Sequence, residues 1–132
     1  MPQPERPLRL HGLRILVVED APDILSAYTT LLRADGAEVS GAATGRQALA
    51  LCRARPFDVV LADLDLPDIP GDVLIGAIRS ECADPAVIVV TGAPEPAPTR
   101  ARAAGARLVL TKPVEWRAIV SSLERLGIRA AA

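Results

Sequence analysis

The sequence predicts an α/β protein built on an open parallel sheet with helices on both faces. Two observations carry this expectation. Five apolar runs alternate with five stretches of helical periodicity, the signature of repeated β-α units. The clearest run, Ile15-Leu16-Val17-Val18, is continuously apolar rather than alternating, which suits a strand covered from both sides. Right-handed crossovers then put helices above and below the sheet. The chain has 132 residues, half of them hydrophobic, enough for one domain with its own core.

The elements follow in order. Residues 1–12 carry three prolines and no periodic pattern, and are expected as a linker or arm. Ile15 to Val18 is the first strand. From Pro22 to Ala34, Ile24, Leu25, Tyr28, Leu31 and Leu32 recur at helical spacing. Pro22 suits the first turn of that helix and Gly36 its stop. Glu38 to Ala42 is a weak second strand. Thr44 to Ala54 is a short helix with Thr44 as N-cap. Asp58 to Ala62 is the third strand and Asp72 to Ser80 the third helix. Ala86 to Val90 and Arg107 to Leu110 complete the strands. Val114 to Leu126 closes the fold, with Ile119, Val120, Leu123 and Leu126 inward.

The stretch Ala93-Pro94-Glu95-Pro96-Ala97-Pro98 interrupts this regularity. Proline inside a helix removes a hydrogen bond and clashes with the preceding turn. The fourth helix is therefore expected to begin near Pro98 or Thr99 and end before Gly105, under about two turns. The domain is placed at 13–127, with 128–132 as a tail.

Composition narrows the function. The net charge is −1, so a broad basic face for nucleic acid is not expected. No apolar run approaches the roughly 20 residues that span a bilayer, and no N-terminal apolar segment has signal-peptide length. A cytoplasmic chain is expected. Cys52 and Cys82 are far apart in no metal-ligand spacing, and read as two small residues in a reducing compartment.

The informative feature is where the polar residues fall. Glu19 and Asp20 follow the first strand, Asp63 the third, Thr91 the fourth and Lys112 the fifth. In a doubly wound sheet these carboxyl ends share one rim, where ligands bind at the switch in strand order. Three carboxylates in one pocket repel. At 4 Å and an effective dielectric near 20, one like-charge pair costs roughly 4 kcal/mol. Either a pKa rises or a cation enters, and an all-oxygen set with several waters favours Mg²⁺. A carboxylate beside Mg²⁺, a lysine and a hydroxyl is equipped for phosphoryl chemistry. Taken singly, Asp63-Leu64-Asp65 also reads as a solvated loop and Lys112-Pro113 as an ordinary strand exit.

Four motifs in order carry a resemblance: Ile15-Leu16-Val17-Val18-Glu19-Asp20, Asp63-Leu64-Asp65-Leu66-Pro67 with Gly71 behind it, Val90-Thr91-Gly92-Ala93, and Thr111-Lys112-Pro113. Over residues 13–127 the chain resembles the receiver domains of two-component response regulators. The resemblance implies a flavodoxin-like sheet of strand order 2-1-3-4-5. It implies Asp63 as phosphoacceptor from the phosphohistidine of a sensor histidine kinase or histidine phosphotransfer protein. Glu19, Asp20, Asp63 and the Asp65 backbone carbonyl would hold Mg²⁺, with Mn²⁺ as a substitute. Thr91 and Lys112 would contact the phosphoryl group, and Lys112–Pro113 is a candidate cis peptide. Such a domain signals rather than catalyses, assisting its own phosphorylation from donors such as acetyl phosphate.

Two features depart from the family. Val109 stands where an aromatic is common, three residues before the lysine, and the proline run shortens the fourth helix. The usual dimer face is therefore not assumed, and the oligomeric state is left open. Asp65 and Ala93 occupy positions that tune acyl-phosphate hydrolysis. Ala93 cannot position a water, so no fast dephosphorylation is expected. Two other functions compete. A docking module that is never phosphorylated fits Val109 and the prolines. An Mg²⁺-dependent phosphohydrolase fits Asp63-x-Asp65, but leaves no residues for a substrate pocket. The chain has no room for a DNA-binding or enzymatic output domain, so output is expected from partner docking or from a domain elsewhere. Leu10-His11-Gly12-Leu13-Arg14 resembles the join ahead of receivers in hybrid sensor kinases, which would make this the cytosolic part of a membrane-bound kinase.

Overall fold

The computed structural model describes residues 9–63 and 65–128. Strands β1 (Arg14–Val18), β2 (Glu38–Ala42), β3 (Val59–Asp63), β4 (Ala86–Thr91) and β5 (Leu108–Thr111) alternate with helices α1 (Pro22–Ala34), α2 (Gly45–Ala54), α3 (Gly71–Glu81), α4 (Ala97–Ala104) and α5 (Trp116–Arg125). All pairings are parallel, in the order β2-β1-β3-β4-β5, as expected from the resemblance.

Strand side chains alternate between two apolar layers. Leu16, Val18, Val60, Ala62, Val87 and Val89 face α2, α3 and α4 through Ala48, Leu49, Leu74, Ile75, Ile78 and Ala101. Ile15, Val17, Val59, Leu61, Ile88 and Val90 face α1 and α5 through Leu32, Ile119, Val120 and Leu123. This double coverage is why the runs are continuously apolar. With few aromatics, aliphatic side chains fill both layers.

Local chemistry sets the helix ends. The Gln47 N–H donates to the Thr44 hydroxyl at 3.1 Å, and Gln47 Oε1 accepts from the Ala43 N–H at 2.8 Å, a reciprocal cap on α2. Pro22 opens α1, where its missing N–H costs nothing. Gly105 ends α4 at φ 115°, a left-handed conformation that a side chain would strain.

Three expectations are corrected in detail. The fourth helix begins at Ala97 and runs eight residues, slightly over two turns rather than under two. Pro98 sits in its first turn, where an N–H has no intrahelical partner, so the proline run enters the helix instead of delaying it. Asp63 and Thr91 are the last residues of their strands rather than the next ones. The ladder reaches them through the pairs Asp63–Val90 and Thr91–Thr111. On α1, Leu32 is buried, but Ile24 and Leu31 lie outward, each 41% exposed, so the apolar stripe is wider than the buried face.

Part of the segment expected as a linker lies against the domain. Leu10 is buried in the α1–α5 layer, and its N–H donates to Asp35 O at 2.9 Å. Gly12 N–H donates to Gly36 O at 3.1 Å, and Arg9 pairs with Glu124 of α5. Residues 1–8 and 129–132, and with them most of the expected arm and tail, lie outside the described residues.

Candidate functional site

The carboxyl ends of β1, β3, β4 and β5 meet at one rim. Glu19 continues the ladder past β1, its N–H donating to Ala42 O at 3.0 Å. Its carboxylate turns inward, only 3% exposed, and accepts the Ala21 N–H at 3.1 Å where α1 starts. Asp20 is exposed beside it. Asp63 is also buried. Its Oδ1 accepts the Asp65 N–H at 3.0 Å, and its Oδ2 accepts from Lys112 Nζ at 3.1 Å. Carboxylate oxygens of Glu19, Asp20 and Asp63 lie within 4.8 Å of one another.

Thr91 is fully buried, and its hydroxyl accepts the Ala93 N–H at 3.0 Å. The Lys112 N–H donates to Thr91 O at 2.8 Å, which locks the β4 and β5 exits together. The Lys112–Pro113 bond is cis, and so is Glu95–Pro96. A Cβ at Gly92 would make only ordinary van der Waals contact with the Lys112 stem, at 3.6 Å from Cδ. Val109 is half-buried against the α2–α4 layer, an aliphatic packing contact.

The crowding of acids shows in their ionisation. Burial pushes the Glu19 carboxyl up to about 7; the adjoining Asp63 carboxylate adds to the rise, while the Ala21 N–H and Lys112 oppose it. Burial also opposes ionisation of Asp63, but the Asp65 N–H, Glu19 and Lys112 hydrogen bonds outweigh it and hold this carboxyl below its usual range. Burial lowers the Lys112 ammonium, yet the Asp63 carboxylate wins and raises it. The two neighbouring carboxyls are thus pushed apart, Glu19 upward and Asp63 downward.

Every site residue anticipated from the strand ends comes to this rim. Two further residues gave no such signal. Asp68, in the β3–α3 loop, accepts the Gly45 N–H at 2.9 Å and the Arg46 N–H at 3.0 Å. It caps α2 from a distant loop and fixes the segment behind Asp63. Those two backbone N–H groups hold its carboxyl below the usual range. Tyr28 of α1 lines the space with Glu19, Asp63 and Lys112, and stacks on Trp116 of α5 at 5.6 Å between centroids. Burial raises the Tyr28 phenol. That space measures about 10 Å³, about the size of one water.

Residues 15–124 match the model of the response regulator receiver domain. The transcriptional regulatory protein KdpE of Mycobacterium tuberculosis is 35% identical over 99 residues, covering 75% of this chain and 44% of KdpE. The chain therefore spans less than half the length of that relative. A crystal structure of a CheY-like receiver domain from Methanospirillum hungatei JF-1 superimposes with a TM-score of 0.82 at 31% identity, covering 86% of this chain and 92% of that one. A response regulator from Burkholderia pseudomallei, solved with a phosphorylated aspartic acid, calcium ion and citrate, gives a TM-score of 0.76 at 25% identity over 87% of this chain and 72% of that one. The chain belongs to the response-regulator receiver family. It is a signalling domain of two-component systems. Among the described residues, no helix is long and apolar enough to cross a membrane.

Proposed function

We propose that Asp63 accepts a phosphoryl group from a phosphohistidine of a sensor histidine kinase or a histidine phosphotransfer protein, and that the acyl phosphate switches a docking surface. The observation that carries this reading is the ionised Asp63, paired with Lys112 and held within reach of Glu19 and Asp20. An Asp63 oxygen attacks phosphorus, the phosphorus–nitrogen bond breaks, and its electron pair stays on the imidazole. Lys112 already touches Asp63 and would follow the new charge. The Asp65 N–H orients the carboxylate.

The donor set fits a hard divalent ion. Its members are oxygens only, and the three carboxylates outnumber the single lysine. Glu19, Asp20, the Asp63 carboxylate and the Asp65 carbonyl would hold Mg²⁺, or Mn²⁺ in its place, whose charge offsets that of the phosphoryl oxygens. Such an ion would favour the ionised form of Glu19.

A dianionic group on Asp63 attracts Lys112 and the Thr91 hydroxyl, whose own hydrogen stays available to donate while its oxygen accepts the Ala93 N–H. A complete swing of a two-state element, from 1:99 to 99:1, needs about 5.5 kcal/mol of differential stabilisation. The movement is read by a docking partner or a linked domain. With Ala93 offering no side chain to place a water, the acyl phosphate is slow to hydrolyse.

A second reading, constitutive docking without phosphorylation, draws on the aliphatic Val109. Intact-mass spectrometry after incubation with acetyl phosphate separates the two. We expect one phosphoryl group, lost in Asp63→Asn and when the metal is chelated, and a lifetime longer than seconds. No gain with acetyl phosphate or with phosphorylated kinases leaves the docking module.

A further inference from the structure

The two cysteines do not belong to the phosphoryl site. Cys52 is buried on the last turn of α2, and Cys82 is the C-terminal cap residue of α3. Both lie in the same apolar layer, Cys52 at its centre and Cys82 packed against it. Their flanking residues join the two helix ends. Arg53, next after Cys52, pairs with Glu81, just before Cys82, at 2.7 Å. The shared apolar layer and the Arg53–Glu81 pair bring the two cysteine-bearing helix ends side by side. Both thiols are free.

We propose that Cys52 and Cys82 form a reversible disulfide between the C-terminal ends of α2 and α3, made by exchange with a low-molecular-weight disulfide such as oxidised glutathione. Cys82 is the more accessible of the two and reacts first. Its thiolate attacks one sulfur of the small disulfide, forms a mixed disulfide and releases one thiolate. Cys52 then loses its proton to that thiolate, attacks the Cys82 sulfur and releases the second thiol. Two protein thiols become one disulfide, and one small disulfide becomes two thiols. Burial pushes the Cys52 thiol up to about 12, with Cys82 adding to the rise, so Cys52 is the slow, resolving partner.

The bridge has a structural consequence. The N-terminus of α2 is already tied to the loop before α3 by Asp68. A disulfide at the other end would close α2, the Asp65–Asp68 loop and α3 into a ring. Oxidation would then stiffen the loop behind Asp63. The chemistry of the pair itself does not depend on phosphorylation.

The test uses the full chain titrated with mixtures of reduced and oxidised glutathione. Intact mass and peptide mapping are read without reduction. We expect the loss of two hydrogen atoms, a cross-linked Cys52–Cys82 peptide, and reversal by dithiothreitol. Cys82→Ser should show no cross-link, and Cys52→Ala should accumulate a glutathione adduct on Cys82. The wild-type peptide map decides even where a variant folds poorly. A persistent wild-type adduct on Cys82, disulfide-linked dimers alone, or two free thiols under fully oxidising conditions would overturn the proposal.

Discussion

The two ends of the sheet use the same chemistry to opposite effect. At the amino end, Asp58 precedes β3 and meets Arg14 at the start of β1. The Arg14 N–H donates to Asp58 Oδ2 at 2.8 Å and the guanidinium to Oδ1 at 3.1 Å. The Asp58 N–H donates to Arg14 O at 2.8 Å in return. Hydrogen bonding to Asp58 raises the Arg14 guanidinium, and the Glu38 carboxylate adds to the rise. At the carboxyl end, three carboxylates share a single lysine, and burial leaves Glu19 half-titrated near neutrality, at about 7. A matched pair fastens strands together. An unmatched cluster stores a demand for positive charge, which a ligand can meet.

Four substitutions sharpen that contrast. The largest effect is expected from Asp63→Asn, which removes the nucleophile and abolishes phosphoryl gain in the mass measurement. Asp58→Asn, the same change at the other rim, should leave phosphoryl gain intact. Next is Lys112→Ala, which removes one charge-assisted hydrogen bond. It should slow phosphoryl gain from acetyl phosphate by on the order of ten- to a hundredfold. Stopped-flow or quenched mass measurements with saturating metal give the rate. A rate equal to wild type would show that Lys112 serves only the resting state.

A smaller effect is expected in pH-dependent stability. Folded Glu19 keeps its proton up to about 7, whereas an unfolded glutamate loses it near 4.5. The folded state thus binds more protons across that window, and stability falls as pH rises through it. Denaturant midpoints with a chelator present should show the slope, and Glu19→Gln should flatten it. Added Mg²⁺ should weaken the slope too, by favouring the ionised form. The smallest effect on chemistry belongs to Asp58→Asn. It should lower the denaturation midpoint by loosening the β1–β3 junction, as circular dichroism would show. Loss of phosphoryl transfer in this variant would break the division of labour between the rims.

Much of this was legible because the signals are local. An apolar run marks a strand up to its carboxyl end, so Asp63 and Thr91 at that end and Lys112 just past it are legible without any contact being known. Thr44 and Gly36 marked helix ends through the backbone chemistry of single residues. The start of α4 at Ala97 is less legible, because proline is penalised in a helix interior but tolerated in its first turn. One leucine in a proline-rich stretch has no period, so the sequence alone assigns Leu10 to a linker. It is buried in the apolar layer it shares with Leu32 of α1 and Leu123 of α5.

The sequence by itself determined the element order, the double coverage of the strands and the residue types at their carboxyl ends. Those follow from periodicity of 2 and 3.6 residues, which the chain carries within short windows. Only the tertiary structure decided the Asp63–Lys112 contact, the cap that Asp68 places on α2, the Tyr28–Trp116 stack and the sharing of one apolar layer by Cys52 and Cys82. Each brings together groups from different β-α units. Their approach is set by strand order and by the packing of helices on the sheet, which no short window of sequence contains.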